Sequence, residues 1–457
     1  MTTLVDAVQG FTENFETDGE VARGWLGALR ARGMSAFQAQ GFPTTRLEEW
    51  RDTNVAPIAQ TRFVMPKSAP GGGASQAAID VAHGYSFGNQ AAAELVFING
   101  FFEPHLSTAS NLPKGVRVLS LERALESDSD LLEKHLGHYA NIDAHPFAAL
   151  NTSFVRQGAL VHIAAGTIAQ KPIHLLFLTI PTAQPAASHP RVLVIAEENS
   201  ACSIVETYAA GEGTGLYLTN AVTEIVQAPG SRIDHNKLQQ EGLSAYHTAL
   251  LQVNLATRSS FISHSSSLGS KLTRNDLQVY LGGEHAEATL NGLVYAKGDQ
   301  HIDNHTLLHH EKAHCPSHEL YKHVLDGHAT GVFKGKIFVQ KDAQKTDSKQ
   351  TTKSLLLSDS ATMNSQPALE IYADDVKCTH GSTIGPVDEN AIFYLVSRGL
   401  SLHQARHLMT YAFAADITRR IKIAAVRTRI EDFMAVQHGL PQDLRITEEA
   451  AHDVALL

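Results

Sequence analysis

Between roughly residues 145 and 380 the chain alternates short apolar runs with clusters of Gly, Asn, Asp and Ser, a texture that predicts strands and leaves no room for a long helix. ALVHIAAG (159–166), IHLLFLTI (173–180), RVLVIAEE (191–198), CSIVETY (202–208), AVTEIVQAPG (221–230), ALLQVNLA (249–256) and LQVYLGG (277–283) are examples. Val226, Val253 and Val279 each close such a run, 27 and 26 residues apart. Beyond the turns at Gly230, Ser259 and Gly283, the inward positions Ile233, Phe261 and Ala286 follow at intervals of 28 and 25. A period of this size is what stacked coils of a parallel β-helix produce, because each coil buries its apolar face only against its neighbours. An antiparallel sandwich would place hairpin turns every ~8–12 residues instead.

The ends read differently. Val21, Trp25, Leu26 and Leu29 recur at helical spacing, and a second apolar contact begins at Leu47–Trp50 after the Gly41-Phe42-Pro43 break. MPKSAPGGGAS (65–75) reads as a Gly/Pro-rich linker, ELVFINGFF (94–102) as a buried strand, and LEKHLGHYA (132–140) as helix. Near the C-terminus, Asp388 and Glu389 open a short helix through FYLVSR, Gly399 supplies a left-handed stop, and Ser401 with Gln404 forms a capping box. The stripe Ala405, Leu408, Met409, Ala412, Phe413, Ile417 and Ile421 then follows the 3.6-residue period. That tail needs a surface to cover, either the open end of the solenoid or a partner. The expected organisation is a helical and mixed region over 1–140, a β-helix core over 141–385 and a C-terminal helical domain over 386–457. The fold class is mainly β.

Composition narrows the function. The 47 acids and 37 bases give a formal charge of −10, so there is no basic field to attract phosphate backbones and nucleic-acid binding is not expected. The one basic cluster, Arg419, Arg420, Lys422, Arg427 and Arg429, reads as a solvated helix face. The N-terminus lacks the basic start and apolar core of a signal peptide, and no run of 18 apolar residues suggests a membrane span, so a cytoplasmic protein is expected. Cys202, Cys315 and Cys378 are odd in number and far apart, which fits a reducing compartment and free thiols.

The most informative segment for chemistry is EIYADDVKCTHG (370–381). Strand alternation puts Cys378 and His380 on one face, about 6.6 Å apart along the chain at ~3.3 Å per residue. A soft thiolate beside an imidazole suits iron, zinc or an iron–sulfur cluster, but two ligands make half a site. The rest must come from elsewhere. A buried small thiol beside a surface histidine is the plainer reading of a bare Cys-x-His. Eight histidines fall between His301 and His328 (301, 305, 309, 310, 314, 318, 323 and 328), yet their spacing fits no compact zinc motif and strands would scatter the rings over both faces. GVFKGK (331–336) is no Walker loop, so no ATP site is expected in this chain, and GEGTG (211–215) reads as a loop. The acid pairs Asp374–Asp375 and Glu48–Glu49 would point apart in extended chain.

The stretch 331–406, with DSKQTTKSLLLSD and LEIYADDVKCTHG at its centre, closely resembles the SufD family of the SUF iron–sulfur assembly system. GFPTTRLEEWRDTN (41–54), LVFINGFF (95–102) and HPFAALNTSFVRQGALVHI (145–163) resemble that family's N-terminal landmarks, so the likeness covers nearly the whole chain. The resemblance implies a right-handed parallel β-helix between helical ends and a non-catalytic scaffold that pairs with a SufB-like paralogue and a SufC-like ATPase. It places His380 first, and Cys378 second, as ligands of a transient iron–sulfur cluster at the interface with SufB. It makes Arg398, Leu402, Ala405 and Arg406, in FYLVSRGLSLHQARHLM (393–409), contacts for SufC. Flavin binding is implied for the complex without a residue signature here, and the isolated chain could form a homodimer. The competing readings are a β-helix carbohydrate-active enzyme and a metal-storing structural solenoid.

Overall fold

Parallel pairing between strands one coil apart builds the centre of the molecule. The structure, a computed structural model, describes residues 4–17, 24–66, 74–109 and 112–437. Val21 and the linker residues 67–73 lie outside the described residues. The chain begins with α1 (Leu4–Thr17), α2 (Gly24–Gln40), α3 (Ala56–Ala59) and α4 (Gln76–Tyr85). The hairpin β1 (Ala93–Ile98) and β2 (Phe101–Phe102) comes next, followed by β3 (Val116–Ser120), α5 (Leu121–Ser127), α6 (Ser129–His135) and α7 (Pro146–Ser153).

The solenoid strands are β4 (Gly158–Ile163), β5 (Ile173–Thr179), β6 (Ala186–Ser188), β7 (Arg191–Ala196), β8 (Ala201–Ala210), β9 (Tyr217–Gln227) and β10 (Arg232–Gln240). Then come β11 (Tyr246–Leu255), β12 (Ser260–Ser267), β13 (Leu272–Leu281), β14 (Glu287–Ala296), β15 (His301–His310) and β16 (Pro316–Leu325). The stack closes with β17 (Thr330–Val339), β18 (Asp347–Leu356), β19 (Thr362–Ile371) and β20 (Lys377–Pro386). From β8 onward, alternate strands go to alternate sheets. One sheet runs β2-β1-β5-β8-β10-β12-β14-β16-β18-β20 and the other β19-β17-β15-β13-β11-β9-β7-β4-β3, a β-solenoid of about 8 turns. Of the strands among the described residues, only β2 and β3, at the N-terminal end, pair antiparallel to their neighbours. The expected fold class is therefore what the chain adopts.

The register corrects two of the sequence positions. Val253 does stack on Val279, but its partner in the preceding coil is Ile225, fully buried, while Val226 faces the other way. A one-residue slip in a strand reverses the face, and the bulky neighbour disguised it. Ile233 stacks on Phe261 as expected, but Phe261 stacks on Ala288 rather than Ala286. These inward positions, with Leu290, Leu308, Phe333 and Ile337, form the apolar core between the sheets.

The helical ends cover what the solenoid leaves apolar outside. The three helices α8 (Glu389–Ser397), α9 (Leu402–Thr418) and α10 (Ala424–Gln437) do not cap the open end. Leu238, Leu293, Leu320 and Val324 make the outer face of one sheet apolar as well, and Ile417, Ile421, Ile430 and Met434 cover that flank. Lys322 ties the tail down, donating to the Asp416 carboxylate and the Phe413 carbonyl at 2.9 Å. The Asp388 cap, the left-handed Gly399 (φ 99°) and the Ser401–Gln404 capping box are all present. Arg419, Arg420 and Lys422 belong to the exposed turn between α9 and α10 rather than to one helix face. No helix among the described residues is long and apolar enough to cross a membrane.

LEKHLGHYA is helical only as far as His135; the chain then turns through Gly137 (φ 79°). The reason lies in Glu224 of β9, whose buried carboxylate accepts the backbone N–H groups of Gly137, Tyr139 and Ala140 at 2.9 Å each. Continuing the helix would have directed those donors back along its own axis. Arg191 completes the pair at 2.6 Å, itself buried and donating to Asn151 and Thr152 of α7. The helix α7, fully buried, is held against the solenoid by this charge pair.

A second attachment is a strap over residues 48–53 that crosses the outer face of β13, β15, β17 and β19. Glu48 and Glu49 share one 3-10 turn, so both carboxylates reach Lys334, at 3.9 and 3.0 Å, and do not diverge as extended chain would require. Trp50 stacks 4.4 Å from the Arg274 guanidinium, which donates to Asp276 and Asp303 at 2.8 Å. Thr53 donates to Asp303 at 2.5 Å, and Asp52 accepts from Gln366 at 2.9 Å.

Replacing Glu224 by Ala leaves the Arg191 charge buried without a counter-ion, and chemical denaturation should show a loss of about 3–5 kcal/mol. The strap should have a pH window. The hydrogen bond from His305 holds the Glu49 carboxyl down at about 2, so its contribution is present above about pH 4.5 and lost as pH falls toward 2. Burial disfavours charge on His305, but Asp303 and then Glu49 outweigh it and raise its pKa above 6.5. That contribution is complete below pH 6.5 and lost as pH rises through the raised value. Trp50 emission, isolated in a Trp25→Phe background, should therefore shift on both sides of this window, and His305→Ala should remove the alkaline limb.

Candidate functional site

The two strands of the last coil differ from those of the coil beneath them. β19 pairs only with β17 and β20 only with β18, so each leaves one row of backbone N–H and C=O groups without a ladder partner. Most of their side chains are half-buried or exposed, whereas β17 and β18 alternate buried and open positions. Tyr372 is 61% exposed, and Ile371 next to it and Ile384 on β20 are exposed too. A long edge of this kind, with apolar side chains at its rim, is a template for another chain.

Cys378 and His380 lie on β20. Cys378 is half-buried and packs against the main core, so the alternation places His380 on the same inner face, where no further coil covers it. Each continues a column through the stack. Ser317 of β16, Ser348 of β18 and Cys378 occupy successive register positions, and the two serine hydroxyls hydrogen-bond at 2.6 Å. Glu319, Gln350 and His380 form the neighbouring column, with Gln350 donating to Glu319 at 2.6 Å. Across the open end Ser382 donates to Ser365 of β19 at 2.9 Å.

Burial raises the Cys378 thiol above its ordinary pKa, and the Asp347 carboxylate adds to this; a hydrogen bond from the Ser348 backbone opposes both. The thiol is therefore a proton-bearing group at rest, and a metal must displace that proton to bind. The other two cysteines are structural. Cys202 is buried with its thiol pushed up to about 12, and Cys315 is buried against the Gly283 and Ala313 carbonyls.

The histidine-rich segment divides as strand alternation requires. His301, His305 and His309 face the strap side, His310 and His323 are fully buried within the solenoid, and His314, His318 and His328 are exposed. Among the described residues no group of three or more His, Cys, Asp or Glu could hold a metal ion. The acids beneath the strap, Asp276 and Asp303, are committed to Arg274. GVFKGK is the strand β17, and GEGTG is a loop.

The helices α8 and α9 present a second surface. Phe393 is 75% exposed, and Tyr394, Val396 and Leu402 are exposed with it. Arg398 lies over the Tyr394 ring at 5.2 Å, and Arg406 is exposed with Glu389 3.7 Å away. Ala405 is different. It is fully buried in a small core with Ile392 and Leu395, so it holds α8 to α9 and has no surface to offer a partner. The exposed aromatics were missed in the sequence because FYLVSR reads as an ordinary amphipathic turn; which half of it is covered depends on tertiary packing.

Comparison with known proteins matches residues 178–413 to the family described as "SUF system FeS cluster assembly, SufBD core domain" and residues 8–175 to "SufBD protein N-terminal region". An iron–sulfur cluster assembly SufBD family protein of Synechocystis sp. is 33% identical over 398 residues, covering 85% of this chain and 86% of that protein. The iron–sulfur cluster assembly protein SufD of Escherichia coli is 29% identical, covering 85% and 88%, and SufD of Bacillus subtilis 26% identical, covering 71% and 75%.

Proposed function

Because the chain belongs to the SufBD family of SUF-system iron–sulfur cluster assembly proteins, we propose that it is a scaffold subunit whose bare last coil meets a SufB-like paralogue and completes a cluster-assembly site there. The observation that carries this reading is the pairing of two uncovered edge strands with a thiol and an imidazole on the face they leave open. The cluster is cargo of the interface. His380 offers a neutral imidazole nitrogen and Cys378 a thiolate once its proton is displaced, and the partner supplies the remaining ligands. The chain does no chemistry of its own on this reading.

The exposed Phe393, Tyr394 and Leu402, with Arg398 and Arg406 at their rim, support docking of a SufC-like ATPase on α8 and α9. Aromatic anchors beside arginines are the usual centre of a binding hot spot. ATP hydrolysis belongs to that partner, and flavin, if carried, to the assembled complex. In isolation the same bare edge would accept a second copy of this chain.

His380→Ala should abolish cluster formation in cells that lack the wild-type protein while the chain still folds, since the side chain is exposed. Normal cluster delivery by that variant would remove the role given to the imidazole. Phe393→Glu should weaken capture of the ATPase in a pull-down by about 30-fold, the equivalent of ~2 kcal/mol at a hot spot. Undiminished capture would move the docking surface elsewhere.

A further inference from the structure

The column that ends at His380 changes character along the stack. Its members in successive coils are Leu290, Glu319, Gln350 and His380, so an apolar position gives way to a buried acid, then a buried amide, then the imidazole. Gln350 Nε2 donates to Glu319 Oε2 at 2.6 Å. That bond fixes the sense of the amide, nitrogen toward Glu319, and leaves its carbonyl oxygen Oε1 buried with no protein partner. A buried acceptor of this kind is costly unless something donates to it.

The space around Gln350 is shaped for it. On the facing strand β17 stands Gly335, where a Cβ would run into the Gln350 amide nitrogen and carbon and into the Phe333 ring. The amide is thus gripped by Glu319 on one side and admitted by Gly335 on the other. The next residue in its column is His380, one strand spacing of ~4.8 Å away. Among the described residues nothing hydrogen-bonds the His380 ring, and an exposed strand histidine changes rotamer readily.

Resting on the reading that His380 binds the cargo, we propose that Gln350, anchored by Glu319, is a positioning residue whose Oε1 accepts the inner ring N–H of His380. The bond selects one tautomer and directs the lone pair of the other ring nitrogen outward to the metal. Metal-ligating histidines in general take their orientation from an acceptor of this kind behind the ring, and its loss typically costs 10–100-fold in metal affinity. Burial pushes the Glu319 carboxyl up to about 7. Deprotonated or neutral with its proton on the far oxygen, it still accepts from Gln350.

The test uses the full-length chain labelled with 15N-histidine, the His380 ring resonances being assigned by their loss in His380→Ala. Wild-type His380, when neutral, should be predominantly one tautomer. Gln350→Met, close in volume, should give a mixture, and Co2+ titrated as the probe metal should bind 10–100-fold more weakly. Glu319→Gln, which frees the Gln350 amide to turn over, should also mix the tautomers, and it carries the test if Gln350→Met does not fold. An unchanged tautomer ratio in whichever of these variants folds overturns the inference. If His380→Ala leaves Co2+ binding intact, the ligand role itself fails; if it removes binding while the tautomer ratio is indifferent to position 350, only the positioning role does.

Discussion

A parallel stack of coils satisfies its backbone only through the coil before and the coil after, so the pairing has to stop somewhere, and each stopping place needs its own solution. At the N-terminal end the short β2 and β3 turn antiparallel, and α7 lies buried against the flank. At the C-terminal end nothing comparable happens among the described residues. β19 and β20 are full-length strands of 10 residues each with one edge apiece unpaired, and the helices that follow go to the flank of the solenoid. The asymmetry makes one end a foundation and the other a joint.

The interior prepares that joint. Through the middle of the solenoid the space between the sheets is not uniformly apolar. Lys237, half-buried, has its ammonium pushed down to about 8 by desolvation and bonds to Asn275 at 2.6 Å and His247 at 2.8 Å. His235 pairs with Glu206 and His247 with Glu241. Such networks tolerate one register and penalise the others, because a slip of one residue would turn each charge to the opposite face and away from its partner. Toward the last coil the polar content persists as the serine column behind Cys378 and the acid and amide behind His380. Cys378 and His380 are thus the ends of ordered columns.

The coil architecture was legible because its cause is local and repeated: each strand shows its own apolar alternation and each turn its own Gly or Ser. What escaped was whatever depended on a distant group. Ile225 and Val226 are equally apolar, and only the stacking on Val253 chooses between them. LEKHLGHYA opens on helix-forming residues, but Gly137 breaks the run and Glu224 claims three of its amides. Ala405 looked like a docking residue from its place in the sequence, and the contact between α8 and α9 buries it. Cys378 and His380 could be read as sharing a face from strand periodicity alone. Their openness could not, since it follows from the absence of a further coil to cover them.

The strap has a consequence for how the protein is made. Asp52 bonds Gln366, a residue 314 positions later in the chain. At a ribosomal pace of ~5–20 residues per second, roughly 16–60 s pass between the emergence of the two. Trp50 and the phenylalanines around it pack with Phe147 and with Leu218, Tyr246 and Leu272 of the early coils, so that core can close well before Gln366 appears, while the Asp52 end of the strap waits for it. Contacts of such high sequence separation slow folding, and here the strap is fastened in steps, on Arg274, then Asp303, then Lys334, with the bond to Gln366 made last.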